Sequence, residues 1–470
     1  MHQKRALLVY DPKALQSIIV KDQYVYERSS SQVQYVQVYS RGLSKTYDFP
    51  QTGNEHRVHR KALTPVFSIA HMRYMTPVFY QIMHQLKKAV HTEIGGKSRE
   101  VDVLMWMGRA ALELIGQGGL GYSFDPLVSD MKDSYGHALK GIQPAVAGMR
   151  VWIMLSPLNK WLGPAWFRRF LASLVPDPNF QRVKKITEIM DARSRGIFMD
   201  KKQALLSGDE ELKQQFGQGK DIMSILLKQN LEAPEGERLS EDEVVAQMST
   251  LVFAAMDTTS NALARTLQLL AEHPDVQEKL RREIVDARNG QDIEYDELVE
   301  LPYLDAVCRE TLRVHPPVPL TSRDTVEDIV LPLSKPIQGK DGSLMSEIFV
   351  PRGTLIYTAN QLSNTNKDLW GDDAEEWRPE RWLSPLPEPL KEARIPGIYS
   401  NLMTFIGGSR ACIGSKFSQL EMKVVLSILL ESFKFSPSDK PITWNFSNIT
   451  FPTAGSDDAP SLPLKVEVVA

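Results

Sequence analysis

The chain has 470 residues, of which 42% are hydrophobic and 24% are charged, and these proportions are typical of a globular protein. The formal net charge of -3 gives no electrostatic reason to expect a nucleic-acid partner. Only two cysteines occur, Cys308 and Cys412, which excludes a disulfide framework and disfavours a zinc site that needs several thiolates.

No long Pro/Ser/Gly tract, charge block or internal repeat divides the sequence, so residues 1–470 are predicted to form a single domain. A run of about 20 apolar residues is also missing, and a membrane-spanning helix is therefore not expected. The apolar stretch at residues 6–9 is too short for a signal peptide.

Apolar residues recur at helical spacing through much of the chain before residue 315. Asp102 is placed to cap one helix, and the glycines at 116–119 are expected to end it. Ser240 and Glu243 form a capping box at the start of the longest helix, which His273-Pro274 should break. The predicted helices are 58–68, 72–91, 103–117, 181–199, 244–270, 275–288 and 303–314.

The pattern changes after Pro316-Pro317. Short strands are predicted at 328–331 and 354–357, with a Pro/Gly-rich loop over 332–346. Helical spacing returns at 417–433, and the tail after Pro441 is typical of short strands. The predicted fold class is therefore mainly α with a small β region.

A cysteine lies in a glycine-rich segment just before the helix predicted at 417, with the sequence Phe405-Ile-Gly-Gly-Ser-Arg-Ala-Cys-Ile-Gly. A thiolate ligand needs a lowered thiol pKa, and a helix N-terminus with nearby positive charge can lower it. Gly408 and Gly414 permit close approach to a flat cofactor, and Arg410 suits an anionic carboxylate. From these residues alone, an inert buried Cys412 remains the alternative.

The spacing F-x-x-G-x-R-x-C-x-G resembles the haem-binding loop of the cytochrome P450 family. This resemblance implies haem b, with Cys412 as the axial ligand of iron and with Phe405, Arg410 and Gly414 beside the haem. The thiolate of this family favours O–O cleavage. The implied fold places the haem between the long central helix and the helix after the cysteine loop, and the implied activity inserts one oxygen atom of O2 into an organic substrate.

Two companion motifs match the same family in the same order. Glu310 and Arg313 stand at i and i+3 on one helical face, an arrangement that is by itself a common surface feature. They match the family's E-x-x-R motif, and Pro379-Glu-Arg-Trp matches its P-E-R-[FW] motif. The resemblance implies that Glu310, Arg313 and Arg381 form a buried charged cluster behind the haem.

The long helix carries an acid and a hydroxyl, Asp257 and Thr258, within an apolar stretch. A satisfied helix kink is the alternative to a functional role. The stretch resembles the family's [AG]-G-x-[DE]-T motif, with Ala255 at the usual glycine. In that family the threonine holds dioxygen in a hydrogen-bond network, and the acid supplies protons for O–O cleavage.

Further positions carried over from the resemblance would bind the haem propionates. His56 and Arg60 match a W-x-x-x-R motif in which histidine replaces tryptophan, and Arg323 takes the place of the family's strand arginine. With Arg410, three cations would then face two carboxylates. A hydrophobic substrate is expected, with pocket candidates that are apolar or nearly so: Phe253, Ala254, Val318, Pro319, Leu320 and Phe451.

Electrons must come from outside the chain, because no flavin or nicotinamide domain is fused to it. The resemblance implies an NADPH-cytochrome reductase, with cytochrome b5 as a further donor. A basic docking surface is predicted from Arg57, Lys61, Lys416 and Lys423, for which solvated surface charges are the alternative.

Residues 6–12 resemble a segment that the family usually places after a membrane anchor, a Pro-rich hinge and a first helix, so these parts are expected to be missing. The full-length form is expected at the cytosolic face of the endoplasmic reticulum membrane, and the segment spacing resembles that of fungal members. Two other functions stay open: a haem-thiolate isomerase or dehydratase, which typically lacks the acid–hydroxyl pair, and a haem-binding sensor or inactive remnant.

Overall fold

A computed structural model of the protein describes residues 6–28, 53–125, 127, 134–155, 161–207, 221–234 and 238–469. Over these ranges the fold is mainly helical with a small β region, as the sequence predicts. The helices are α1 (Pro12–Gln16), α2 (Gly53–Leu63), α3 (Ile69–Ile94), α4 (Val103–Leu114), α5 (Ser134–Lys140), α6 (Ile142–Gly148), α7 (Arg150–Leu155), α8 (Ala165–Ser173), α9 (Pro178–Ser207), α10 (Ile222–Glu232), α11 (Glu241–Glu272), α12 (Pro274–Arg288), α13 (Tyr295–Glu300), α14 (Pro302–Val314), α15 (Asn360–Asn364), α16 (Lys367–Trp370), α17 (Glu388–Ala393) and α18 (Ser415–Ser432).

The strands are β1 (Ala6–Val9), β2 (Tyr26–Arg28), β3 (Arg99–Asp102), β4 (Leu320–Thr325), β5 (Ile329–Gln338), β6 (Leu344–Val350), β7 (Leu355–Ala359), β8 (Phe433–Pro437), β9 (Ile442–Asn445), β10 (Phe451–Ala454) and β11 (Pro463–Val468). Short π turns cover Ser17–Lys21 and Ile115–Leu120, and 3-10 turns cover Thr64–Phe67, Pro379–Leu383, Met403–Phe405 and Gly408–Arg410.

The central helix α11 runs through the helical core and contacts α4, α9, α14 and α18. It begins with the predicted capping box: the Ser240 amide donates to the Glu243 carboxylate at 2.7 Å, and the Glu243 amide donates back to the Ser240 hydroxyl at 3.4 Å. It ends at His273, before Pro274. Across the part of the chain that the structure describes, no helix is both long enough and apolar enough to cross a membrane.

The helix predicted at 103–117 is capped by Asp102, as expected, but the glycines that follow do not end it. The chain continues as a π turn to Leu120, and Gly121, with φ of 57°, ends it. A Cβ at Gly116 would lie 2.6 Å from the Tyr122 carbonyl oxygen, and one at Gly118 would lie 3.0 Å from Phe79. These glycines therefore allow close packing around a widened turn.

The main sheet has the strand order β1-β7-β4-β2, in which β1 and β7 are parallel and the other neighbours are antiparallel. The first strand was not predicted, because four residues give too short a pattern. A second sheet joins β3, β11 and β8, and β9 pairs with β10. The main sheet carries Arg323 on β4.

The prediction of a loop at 332–346 is wrong, because β5 and β6 form a hairpin over most of that range. The register shifts between Pro332 and Ile337, and this irregularity accommodates Pro336, which has no N–H to donate. Most of the hairpin after Leu333 is exposed, so the alternation of a half-buried strand does not continue there: Leu344 is 76% exposed and Phe349 63%.

Candidate functional site

The cysteine loop is closed by its own backbone. The Cys412 amide donates to the Phe405 carbonyl at 2.9 Å. Phe405 is buried, and its ring meets Tyr399 edge-on with the centroids 5.5 Å apart. Because α18 begins at Ser415, Cys412 lies just before a helix N-terminus, as predicted.

The two predicted loop glycines serve different purposes. Gly408 has a φ of +65°, and a Cβ there would overlap the Ile19 carbonyl, so the protein fold itself requires glycine. A Cβ at Gly414 would meet only the Phe67 ring, at 4.0 Å. Protein packing therefore does not explain Gly414, whereas the close approach of a flat cofactor does.

Arg60 connects α2 to the cysteine loop. Its Nη1 donates to the carbonyl of Ala411, the residue before Cys412, at 2.6 Å. The Cys412 side chain is accessible, but protein atoms crowd around it, and this crowding raises the pKa of the thiol. The Gly414 N–H and the Arg60 guanidinium act in the opposite direction and lower that pKa. These two groups would stabilise a thiolate.

Two of the predicted propionate ligands line the same cavity. Arg323 and Arg410 line one small cavity of about 10 Å³. Burial lowers the pKa of Arg410, and the Glu27 carboxylate opposes this shift. Arg410 Nη1 is buried and has no hydrogen-bond partner among the described residues. A buried guanidinium nitrogen of this kind suits a carboxylate acceptor, so these residues fit the propionates of haem.

The predicted haem ligands therefore converge from three parts of the fold. The cysteine loop supplies Cys412 and Arg410, β4 supplies Arg323, and α2 supplies Arg60. His56 is buried on α2, one turn before Arg60. Thr259 of the central helix reaches toward α18, with 3.5 Å between its hydroxyl and that of Ser418. The central helix and α18 thus come together near the loop, and the position of the haem between them stays a prediction.

Asp257 is buried in the central helix and held by a cation that was not predicted. Its Oδ1 accepts from Lys140 Nζ at 3.1 Å and from Asn261 Nδ2 at 3.2 Å. Lys140 also donates to the Ser260 hydroxyl. Asp257 Oδ2 is buried and lacks a hydrogen-bond partner within the described residues. One oxygen is therefore fixed, and the other is available to a proton donor or acceptor.

Thr258 follows on the same helix. Its hydroxyl donates to the Ala254 carbonyl at 2.7 Å, which leaves the lone pairs of the oxygen to accept another hydrogen bond. Thr258 is partly exposed, and Ala254 is exposed, so this face of α11 is not covered by protein.

The predicted charge cluster is present and fully buried. Arg313 donates to both oxygens of Glu310 at 2.8 Å, and neither side chain is exposed. Arg381 Nε lies 3.3 Å from Glu310. The sequence did not identify Asp373, which accepts from Arg381 at 3.0 Å, or the role of Trp382, whose indole N–H donates to Glu310 at 2.9 Å. The P-E-R-W motif already contained Trp382 and was the available signal.

The prediction that Lys423 contributes to a basic docking surface is wrong. Its side chain is 2% exposed, because its ammonium is paired with Asp305 at 2.8 Å and donates to the Val299 carbonyl at 2.7 Å. The other three proposed members, Arg57, Lys61 and Lys416, are exposed.

The candidate substrate residues come from three segments. Phe253 and Ala254 lie on the central helix, Val318, Pro319 and Leu320 lie at and before the start of β4, and Phe451 begins β10. Phe451 and Pro319 are buried, and the others are at least partly exposed. Their contact with a substrate stays a prediction.

Comparisons with known proteins agree with this geometry. The family model described as Cytochrome P450 matches residues 1–455. Cytochrome P450 monooxygenase 91 of Postia placenta is 53% identical, over 100% of this chain and 86% of the relative. Ganoderic acid synthetase of Ganoderma lucidum is 50% identical, over 99% of this chain and 85% of the relative. A cytochrome P450 monooxygenase of Hericium erinaceus is 39% identical, over 91% of this chain and 78% of the relative.

Proposed function

Because the chain belongs to the cytochrome P450 family and is an oxygen-incorporating oxidoreductase, we propose that it inserts one oxygen atom of O2 into a hydrophobic substrate with electrons from an NADPH-dependent reductase. The observation that carries this proposal is the convergence of Arg60, Arg323 and Arg410 around the loop of Cys412. When haem b is bound, it supplies the dioxygen and electron chemistry that no side chain provides.

The residues of the chain divide the remaining work. Cys412 would bind the haem iron, and the Gly414 N–H and Arg60 favour the anionic form of its thiol. Arg323 and Arg410 would hold the propionates, with His56 and Arg60 as further donors from α2. Phe405 and Gly414 would lie beside the haem, where the missing side chain at Gly414 leaves space for it.

Proton handling falls to the central helix. Thr258 accepts a hydrogen bond or donates one at its Oγ1, and Asp257 passes protons through Oδ2, the oxygen without a partner among the described residues. Lys140 and Asn261 fix Oδ1 and thereby orient the carboxylate. Such positioned acid–base groups typically contribute about 10²- to 10⁴-fold to rate.

The electron donor would be a flavoprotein reductase, with cytochrome b5 as a second donor. Arg57, Lys61 and Lys416 are exposed near the cysteine loop and α2, where they suit an acidic partner. The proposed location is the cytosolic face of the endoplasmic reticulum membrane, where such a reductase and an apolar substrate would both be available.

The substrate is expected to be apolar, because the candidate pocket residues are apolar or nearly so. One relative is named ganoderic acid synthetase. An organic acid is thus a reasonable product class to include in a substrate panel for this chain.

The test begins with the two cysteines. Reduced, CO-bound protein should show the absorption band of thiolate-ligated haem, and Cys412→Ser should abolish it. Cys308→Ser is the matched control, because Cys308 is buried and burial raises the pKa of its thiol to about 12, so its replacement should leave the band intact. A thiolate band that persists in Cys412→Ser would disprove the ligand assignment.

Turnover is tested separately, with the haem-loaded protein, a reductase, NADPH and a panel of hydrophobic substrates. Substrate-dependent NADPH use with incorporation of oxygen from O2 supports the monooxygenase. Conversion of a peroxide without O2 or reductase would indicate an isomerase or dehydratase instead. A thiolate band without any turnover would indicate a haem-binding sensor.

A further inference from the structure

A second cavity, of about 280 Å³, lies where the central helix meets the end of α14 and the β9–β10 hairpin. Asn261 and Arg265 line it from the central helix, and Pro317 and Thr450 line it from the two segments that follow. Pro317 and Thr450 directly precede the substrate candidates Val318 and Phe451, and the Thr450 amide donates to the Pro317 carbonyl at 2.9 Å. The cavity therefore adjoins the predicted substrate pocket.

Arg265 brings a positive charge to this cavity, and its contacts are neutral. Its Nη1 donates to Gln268 at 3.2 Å, its Nη2 donates to the His315 ring at 3.2 Å, and the guanidinium lies 4.9 Å from the centroid of Trp444. Burial lowers the pKa of His315 to about 3, so the ring is an uncharged acceptor. The Gln268 amide donates at 2.8 Å to Glu272, so Gln268 links Arg265 to this carboxylate.

Arg265 forms no ion pair within 4.0 Å in the part of the chain that the structure describes, and the Glu272 carboxylate acts on it only from farther away. Burial lowers the pKa of Arg265 only to about 10, so the group remains cationic at neutral pH. Its Nε is buried without an acceptor in the described structure, and the Oδ1 of Asn261, which is 1% exposed, likewise lacks a donor there. A partly buried charge whose counter-charge, Glu272, acts from beyond ion-pair distance is costly, and an anion in the cavity would offset part of that cost.

We propose that this Arg265 cavity binds the carboxylate of an apolar organic acid. The walls beside the charge are apolar, since Pro316, Pro317 and Phe446 line them. The volume lies at the lower end for ligand pockets, which begin at about 300 Å³, so it suits a carboxylate and a short apolar segment. Phe446 is 65% exposed, so the rest of a longer ligand can extend past it into solvent.

A ligand in the cavity would act on Asp257, the proposed catalytic acid, through the side chain of Asn261. Asn261 lines the cavity with an unpaired Oδ1, and its Nδ2 donates to Asp257 at 3.2 Å. The carboxylate can belong to a substrate or product of the haem site, or to a separate effector. Binding does not require turnover, so failure of this proposal would leave the monooxygenase proposal intact.

The test uses haem-loaded protein and titration calorimetry with octanoate, compared with octan-1-ol. Wild type should bind octanoate more tightly than octanol. Arg265→Gln should weaken octanoate binding by about 10- to 100-fold, as expected for loss of a charge-assisted hydrogen bond, and should leave octanol binding unchanged. Arg282→Gln is the control, because Arg282 is 75% exposed on α12. Equal affinity for the two probes, or unchanged octanoate affinity in Arg265→Gln, would overturn the proposal.

A second pair of variants avoids any folding defect at Arg265. Phe446→Asp places a negative charge at the exposed rim, and Phe446→Asn is its uncharged match. The aspartate should weaken octanoate binding more than the asparagine does, and equal weakening by both counts against a bound carboxylate. A Soret shift with the calorimetric dissociation constant identifies a ligand of the haem site, whereas heat without a Soret shift identifies a separate effector.

Discussion

Lys140 Nζ lies 3.1 Å from Asp257 Oδ1, and this pair joins α5 to the middle of the central helix. The two side chains are only 13% and 3% exposed. A buried pair of this kind is costly to break from one side, because the remaining charge is left without its partner. The position of Asp257, the proposed catalytic acid, therefore depends on a pair that also stabilises the fold.

Lys140→Met should destabilise the protein by about 3 kcal/mol, because it leaves the Asp257 carboxylate buried and unpaired. Lys140→Met combined with Asp257→Asn should recover most of that loss, since neither charge then remains. Urea unfolding of the four members of the cycle measures the coupling. The exposed pair Lys335 and Asp368 serves as the control, where a cycle should give less than about 1 kcal/mol. Equal coupling in both cycles would show that the buried pair has no special role.

Thr258→Ala should divert reducing equivalents to hydrogen peroxide, because it removes the hydroxyl that we propose to hold dioxygen. Product formed per NADPH is expected to fall by about 10-fold or more. Peroxide and product are measured with reductase and any substrate that the panel identifies. Thr250→Ala is the control, since the Thr250 hydroxyl also donates to a carbonyl four residues earlier on the same helix. Unchanged coupling in Thr258→Ala would remove Thr258 from the mechanism.

Glu310→Ala should prevent stable haem incorporation. Glu310 accepts from both Arg313 and Arg381, so its removal leaves the buried Arg313 without its acid and Arg381 with Asp373 alone, at a cost of about 3–5 kcal/mol. Trp382→Phe removes a single hydrogen bond to the same carboxylate and should cost about 1 kcal/mol. The haem-to-protein ratio after purification should rank wild type, Trp382→Phe and Glu310→Ala in that order. A normal ratio in Glu310→Ala contradicts the structural role.

Much of this arrangement could be predicted from sequence, because its motifs are local. Glu310 and Arg313 are three residues apart on one helix, and the cysteine loop is a single stretch of ten residues. Lys140 could not be predicted in the same way, because it is 117 residues from Asp257 in sequence and lies on a helix of only seven residues. A helix that short gives no clear hydrophobic period.

Features that depend on contacts between distant segments are harder to predict than local motifs. The burial of Lys423 cannot be predicted from the sequence, because a lysine is usually solvated and its partner Asp305 is 118 residues away. The hairpin of β5 and β6 is missed for a related reason, since most of its residues after Leu333 are exposed and show no alternating apolar face. In both cases the deciding contact is tertiary.

The loop glycines should separate folding from haem binding. Gly408→Ala combines a φ of +65° with an overlap at the Ile19 carbonyl, so the variant should unfold more easily even without haem. Gly414→Ala meets only Phe67 at 4.0 Å, so it should leave the stability of the haem-free protein unchanged and weaken haem binding. Urea unfolding of haem-free protein and haem titration measure the two effects. Equal destabilisation by both substitutions would show that Gly414 is also required by the fold.

Glu421 is fully buried on α18, and neither carboxyl oxygen has a hydrogen-bond partner among the described residues. Burial raises the pKa of this carboxyl well above its ordinary value, and the Thr259 hydroxyl opposes the rise by a smaller amount. The folded protein therefore keeps a proton that the unfolded chain releases above about pH 4.3. The protonated Glu421 carboxyl therefore makes its full contribution to the free energy of unfolding below about pH 4.3. That contribution is lost as the pH rises toward the pKa of Glu421 in the folded protein.

Glu421→Gln should remove this pH dependence, because the amide has the same shape and does not titrate. The free energy of unfolding of wild type should fall between pH 5 and pH 8 by up to about 1 kcal/mol per pH unit more than that of the variant. Urea unfolding at several pH values within this range measures the two slopes. Glu392→Gln, at an exposed glutamate, should keep the wild-type slope. If Glu421→Gln also keeps it, the carboxyl is ionised in the folded protein and must have a hydrogen-bond donor or a cation beside it.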